Sequence, residues 1–161
     1  MRARSPFALL LIVLLAGCGS SSSPTAPAAV TNFAGSFSGT YQIATCSDGS
    51  LTGFCAATGF TPGTRLPITM ALGQNNTAVS GSVALGGITG GFQGTASGNT
   101  LTGSAPLTSV ISNGTTLLSN ISSWASTLTG NSMSGNFTVT FAVVGIGSNA
   151  SFTATLVSLS R

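Results

Sequence analysis

Gly130-Asn131-Ser132-Met133-Ser134-Gly135-Asn136-Phe137-Thr138-Val139-Thr140-Phe141-Ala142-Val143 alternates almost without a break. From 133 to 143 the odd positions read Met, Gly, Phe, Val, Phe, Val, and from 132 to 140 the even ones read Ser, Ser, Asn, Thr, Thr. Successive strand residues point to opposite faces, so this period of two predicts a strand with one face in a core and one in water. Gly130-Asn131 in front of it is a tight-turn pair, because both residues tolerate positive φ.

The same unit recurs outward in both directions. Leu101, Gly103, Ala105 and Leu107 share one phase, as do Ile88, Gly90, Phe92, Gly94 and Ala96 between the turn pairs Gly86-Gly87 and Gly98-Asn99. Val79, Gly81, Val83 and Leu85 form another face, preceded by a predicted turn over Gly73-Gln74-Asn75-Asn76. Before that come Leu66, Ile68, Met70 and Leu72, with Pro67 expected at a strand start or edge because it lacks a donor. Phe37, Gly39, Tyr41 and Ile43 open the series; Ala150, Phe152, Ala154 and Leu156 close it after a turn expected near Gly145–Asn149. The stretch 106–129 is less regular. Leu118, Trp124 and Leu128 share a phase that Ile121 breaks, so a bulge or loop is expected there. The fold class is all-β: an antiparallel up-and-down meander of about eight strands, which can close into a barrel and remove its edges.

A short pattern repeats inside this meander: Thr77-Ala78-Val79-Ser80-Gly81-Ser82, Asn99-Thr100-Leu101-Thr102-Gly103-Ser104 and Asn131-Ser132-Met133-Ser134-Gly135-Asn136. The unequal spacing excludes a solenoid and fits alternate strands entered from similar turns. Glycines in the apolar phase (Gly39, Gly81, Gly90, Gly94, Gly103, Gly135) have two readings. They bend the strands for closure, or they leave an apolar cavity.

The charge inventory excludes whole function classes. The chain has no His, a single acid, Asp48, and four arginines, Arg2, Arg4, Arg65 and Arg161. Without the first two, the body carries Arg65 plus Arg161 minus Asp48, or +1. That argues against nucleic acid, which needs a basic footprint. General acid–base catalysis, glycoside hydrolysis by paired carboxylates and nucleophile–His arrangements all lack their residues. No metal-ligand cluster and no phosphate loop is present. The reading is of a non-enzymatic protein with no cofactor and no metal, in which Asp48-Gly49 is a turn rather than a site. The hydrophobic fraction of 42%, arranged in alternation, argues for a folded body rather than disorder.

Residues 1–17 have the layout of an export signal. Arg2 and Arg4 precede the apolar run Phe7 to Leu15, which is too short to span a bilayer as a mature helix. Leu15-Ala16-Gly17-Cys18 resembles the lipobox of bacterial lipoproteins. The resemblance implies that Cys18 becomes the first mature residue and carries lipid. With Gly19 rather than Asp after it, it also implies anchoring in the outer membrane of the cell envelope. Residues 18–32, rich in Ser, Pro and Ala, read as the lipidated cysteine and a flexible tether, and 33–161 as a single barrel domain. In an exported protein whose third cysteine is lipidated, Cys46 and Cys55 are read as a disulfide. The rivals are a metal site, which would need further ligands, and two free thiols.

The meander is similar to small barrels of the lipocalin and avidin kind. Gly35-Ser36-Phe37-Ser38-Gly39-Thr40-Tyr41 and the terminal Arg161 carry the lipocalin resemblance, with Tyr41 standing where that family has Trp. The resemblance implies that a first-strand aromatic is covered by a late arginine. If the inner phase encloses a cavity, Phe37, Tyr41, Met70, Val83, Phe92, Leu101, Phe137, Val139, Phe141, Phe152 and Leu156 line it, and its ligand is small and apolar. The expected partners are thus a membrane, through lipid on Cys18, and a small apolar ligand. The alternative is a structural or adhesive surface module acting through its Ser/Thr/Asn faces.

Overall fold

A computed structural model describes residues 29–112, 115–144 and 149–161. The elements follow in order: β1 (Gly35–Ser47), α1 (Phe54–Thr58), β2 (Arg65–Asn75), β3 (Ala78–Leu85), β4 (Ile88–Ser97), β5 (Thr100–Ser112), β6 (Thr115–Thr129), β7 (Ser132–Val143) and β8 (Asn149–Ser160). Each strand pairs with the next, and β8 returns to β1, giving a closed barrel of eight strands. All pairings are antiparallel. The closing seam between β1 and β8 carries outward hydroxyl contacts, Thr45 Oγ1 to Thr153 Oγ1 at 2.6 Å and Thr40 Oγ1 to Ser158 Oγ at 3.3 Å.

The alternation sets the two faces of the wall. In β7, Met133, Phe137, Val139, Phe141 and Val143 are buried while Ser132, Ser134 and Asn136 are exposed. Pro67 fits its expected place. Its carbonyl accepts from Gly86 N at 3.0 Å, just beyond the end of the β2–β3 ladder at Ile68↔Leu85. Its missing donor thus falls on the β3 side, where the ladder has ended, while β1 pairs it on the other. The three repeats enter β3, β5 and β7, the alternate strands, from two-residue turns. Their glycines share one geometry. A Cβ on Gly81, Gly103 or Gly135 would press on the carbonyl oxygen of Ala71, Gln93 or Ala125 of the preceding strand. Only glycine allows the wall to turn that sharply there. The apolar-phase glycines therefore serve close backbone approach and leave no side-chain gaps.

Two details depart from the sequence reading. The turn expected over 73–76 comes later: β2 runs on through Asn75, and the turn is Asn76-Thr77, with Asn76 at φ 54. Gln74 stays in the strand, where its amide holds the segment before β1. The predicted irregularity in β6 is a register shift between Ile121 and Ser123, but Leu118 lies on the other side of it. Leu117, Ser119 and Ile121 face inward before the shift, and Trp124, Ser126 and Leu128 after it. Leu118 is 54% exposed. A second shift, in β8, turns Leu159 inward after Leu156 and leaves Val157 outside. The turn expected near 145–149 lies, apart from Asn149, outside the described residues. So do Cys18 and the whole lipobox.

Candidate functional site

The eleven residues nominated for the interior all face it, each at most 5% exposed. They do not form one chamber. Phe37 and Leu101 sit at the end where the chain enters the barrel, here the entry end. Phe141 and Phe152 sit at the opposite, loop end, beneath the connection from β1 to β2. Aromatic rings fill the axis between them. Phe92 meets Trp124 edge-on at 5.7 Å, and Trp124 stacks on Phe137 at 5.2 Å. Phe137 meets the edge of Tyr41 at 5.2 Å, and Tyr41 lies parallel to Phe152 at 6.2 Å. Offset and edge-on contacts of this kind are favourable beyond area burial.

The entry end is closed by hydrogen bonds to the wall. Phe33, fully buried, donates its backbone N–H to Gln74 Oε1 at 2.6 Å, and Gln74 Nε2 donates to Thr31 O at 3.2 Å. Thr31 N donates to Gly98 O at 2.8 Å. Arg161 Nη1 donates to Asn32 O at 3.1 Å and Ala34 O at 2.9 Å. Its guanidinium lies 5.5 Å from the Phe37 ring centre, a cation–π contact. The expected pairing of a late arginine with a first-strand aromatic is therefore present. Its partner is Phe37, two steps of the alternation nearer the entry end than Tyr41.

The loop end is closed by an insert. Residues 48–64 carry α1, and the insert drops two rings onto the barrel: Phe54 lies 4.8 Å from Phe141, while Phe60 lies 4.9 Å from Phe152 and 5.7 Å from Phe141. Cys46 of β1 and Cys55 of α1 form the disulfide, with Cα atoms 6.0 Å apart. The Asp48 carboxylate accepts from Gly53 N at 3.0 Å and Cys55 N at 2.7 Å, so the single acid of the chain organises this turn. Sequence reasoning missed Phe54 and Phe60, because the insert has no strand period. The available signal was the presence of Leu51, Phe54 and Phe60 in a segment otherwise made mostly of Gly, Thr, Ala and Ser, too apolar to hang in water.

Electrostatically the interior is neutral. The charged residues of the body, Asp48, Arg65 and Arg161, all lie outside it. Burial pushes the Tyr41 hydroxyl up to about 12, so it stays protonated at physiological pH. Trp124 Nε1 donates to Ser126 Oγ at 2.8 Å. Ser119, on the inner face of β6 and 4% exposed, has no partner for its Oγ among the described residues. The outer wall has shallow clefts of about 330, 320 and 300 Å³. Their linings mix Ser, Thr, Ala, Asn and Gln with apolar residues and carry no charge, so they offer no group for acid–base or metal chemistry. Among the described residues no three His, Cys, Asp or Glu side chains come together.

Comparison with known proteins finds no family model, no curated protein and no solved structure that matches this chain.

Proposed function

We propose that this is a non-enzymatic lipoprotein, tethered to the outer membrane through lipid on Cys18, whose barrel carries a small apolar molecule in its interior. The observation that carries the reading is that the wall does not fill the barrel alone. At the loop end the space over Phe141 and Phe152 is occupied by Phe54 and Phe60 from an insert. A neutral, aromatic interior binds chiefly by burying area, at about 25 cal/mol per Å². The outer wall supports a body that stands off the bilayer: it is Ser- and Thr-rich, whereas a membrane-spanning barrel is apolar outside. The segment before β1 joins at the entry end, so a tether there leaves the loop end pointing away from the lipid surface.

The test has two parts. Full-length precursor expressed with Cys18→Ala should remain uncleaved and unlipidated; normal processing would remove the anchor from the reading. Protein purified from membranes without denaturation should release an apolar molecule on extraction, or take up N-phenylnaphthylamine. Neither outcome in any redox state would remove the ligand.

A second reading is favoured by one observation. The inner rings touch in an unbroken series from Phe92 to Phe54. A barrel filled in this way is a structural or adhesive module that acts through its outer Ser/Thr/Asn faces.

A further inference from the structure

We infer that the space filled by the Phe54 and Phe60 rings is itself the ligand site, suited to a neutral planar aromatic molecule of about two rings, and that the Cys46–Cys55 disulfide governs its opening. This rests on the ligand reading above and specifies its site, its ligand class and its control.

The shape comes from the rings already in place. Phe60 is tilted between Phe141 and Phe152, Phe54 is tilted against Phe141, and the two insert rings lie 6.0 Å apart. Beneath them Phe152 lies parallel to Tyr41. A site that accepts two benzene rings against aromatic faces offers π contacts to a flat molecule of the same size. No charged side chain of the body faces it, so an ionised ligand would lose its hydration without a partner.

The insert is built to move as a unit. From Leu51 to Phe60 its described hydrogen bonds stay within the insert: Leu51 N to Asp48 O, Phe54 N to Leu51 O, Ala57 N to Gly53 O, and Gly53 N and Cys55 N to the Asp48 carboxylate. Among the described residues, ring contacts, the packing of Leu51 and the disulfide hold this part to the barrel, while its two ends are pinned by Ser50 to Asn149 and by Gly63 to Ile43. Gly59 and Gly63, at φ 73 and 92, flank Phe60 with nothing within 4 Å of where a Cβ would stand. Gly59 can absorb a backbone rotation, and Gly63, whose N–H donates to Ile43 O at 2.9 Å, marks where the moving part meets β1. Both cysteines are half-buried and open to attack.

Release needs a dithiol reductant. One of its thiolates attacks a cysteine sulfur, the S–S bond breaks, and the other cysteine leaves as a thiolate that takes a proton. The second thiol of the reductant then displaces the first cysteine and leaves as its own disulfide. The protein gains two electrons and two protons, and the reductant loses the same.

The test is a fluorescence titration of the full chain with N-phenylnaphthylamine. Four forms are compared: oxidised wild type, dithiothreitol-reduced wild type, Cys46→Ser/Cys55→Ser, and oxidised Phe54→Ala/Phe60→Ala. The reduced and Ser forms should bind at least tenfold tighter than oxidised wild type. The Ala form, with its disulfide intact, should bind equally tightly. Naphthalene should displace the probe at least tenfold better than a straight-chain alcohol of similar size. Equal binding by oxidised and reduced wild type would overturn the disulfide control and leave the ligand reading standing. Binding by the reduced protein but not by the Ala form would overturn the site. Preference for the alcohol would overturn the ligand class. Binding by none of the four would remove the ligand reading with it. If reduction unfolds the barrel, seen as loss of its β circular dichroism, the disulfide control is overturned and the Ala form alone decides the site.

Discussion

At the entry end Phe33 is held by hydrogen bonds to β2, to the β4–β5 turn and to the arginine after β8. At the loop end Phe54 and Phe60 are held by ring contacts and by a covalent clip from their insert to β1. Phe33 and Phe54 are both buried, yet the physical nature of the two closures differs. Phe33 cannot leave without breaking hydrogen bonds to the wall. From Leu51 to Phe60 the insert makes its described hydrogen bonds within itself, and it is pinned to the wall only at its ends, Ser50 to Asn149 and Gly63 to Ile43, among the described residues. Burial says how much area is covered, and the routing of polar bonds says whether a local opening can uncover it.

The sharpest way to break this comparison is to truncate one ring at each end. Phe33→Ala should lower the unfolding free energy by about 3–5 kcal/mol, read from urea transitions. Phe54→Ala should lose no more than about half as much, because the insert relaxes locally. Equal losses would erase the distinction. Next in size, Cys46→Ser/Cys55→Ser should cost about 2–3 kcal/mol, the closure entropy of a short loop. Hydrogen exchange of the amides from Leu51 to Phe60 should accelerate far more than that of β7. Uniform acceleration would mean the insert and barrel open together.

Tyr41 reports on the interior between the two closures. Its hydroxyl ionises near 10 in the unfolded chain and at about 12 in the folded one. Between those values the unfolded state has lost a proton the native state keeps, so stability falls as pH rises from 10. The loss should reach about 2–3 kcal/mol above pH 12, and Tyr41→Phe should flatten this limb. A smaller loss after reduction would sharpen the contrast, since it would show water entering from the loop end. The smallest effect belongs to Arg161→Gln. One exposed cation–π contact and its hydrogen bonds should contribute about 1 kcal/mol to stability, measured by the same urea transitions, with probe access at the loop end unchanged.

The wall was legible in the sequence because its physics is periodic. Met133 to Val143, Ile88 to Ala96 and Phe37 to Ile43 carry their faces in their spacing, and Gly86-Gly87 and Gly130-Asn131 mark their own turns. Interruptions were legible only as interruptions. A bulge near Ile121 was readable, but not that it reverses the phase, so Leu118 shares its spacing with Trp124 and Leu128 and yet faces outward. The β8 bulge that turns Leu159 inward left no mark in the alternation before it. The closures were the least legible. Arg161 covers Phe37 rather than Tyr41 because of where β8 ends in three dimensions. Phe54 and Phe60 reach the interior from a segment without a period.

The seam between β1 and β8 has a consequence for how the molecule forms. Every other pairing joins strands adjacent in the chain and can zip locally, but Thr40 and Ser158 meet across 118 residues. Closing so long a chain delays the contact. Until β8 arrives, β1 presents a row of unpaired amides and carbonyls, flanked outward by Ser36, Ser38 and Thr40 rather than by charge or proline. An edge of that kind invites pairing with another copy. Refolding yield should therefore fall as protein concentration rises, and the species lost should be chains whose first strand found a foreign partner before its last strand was in place.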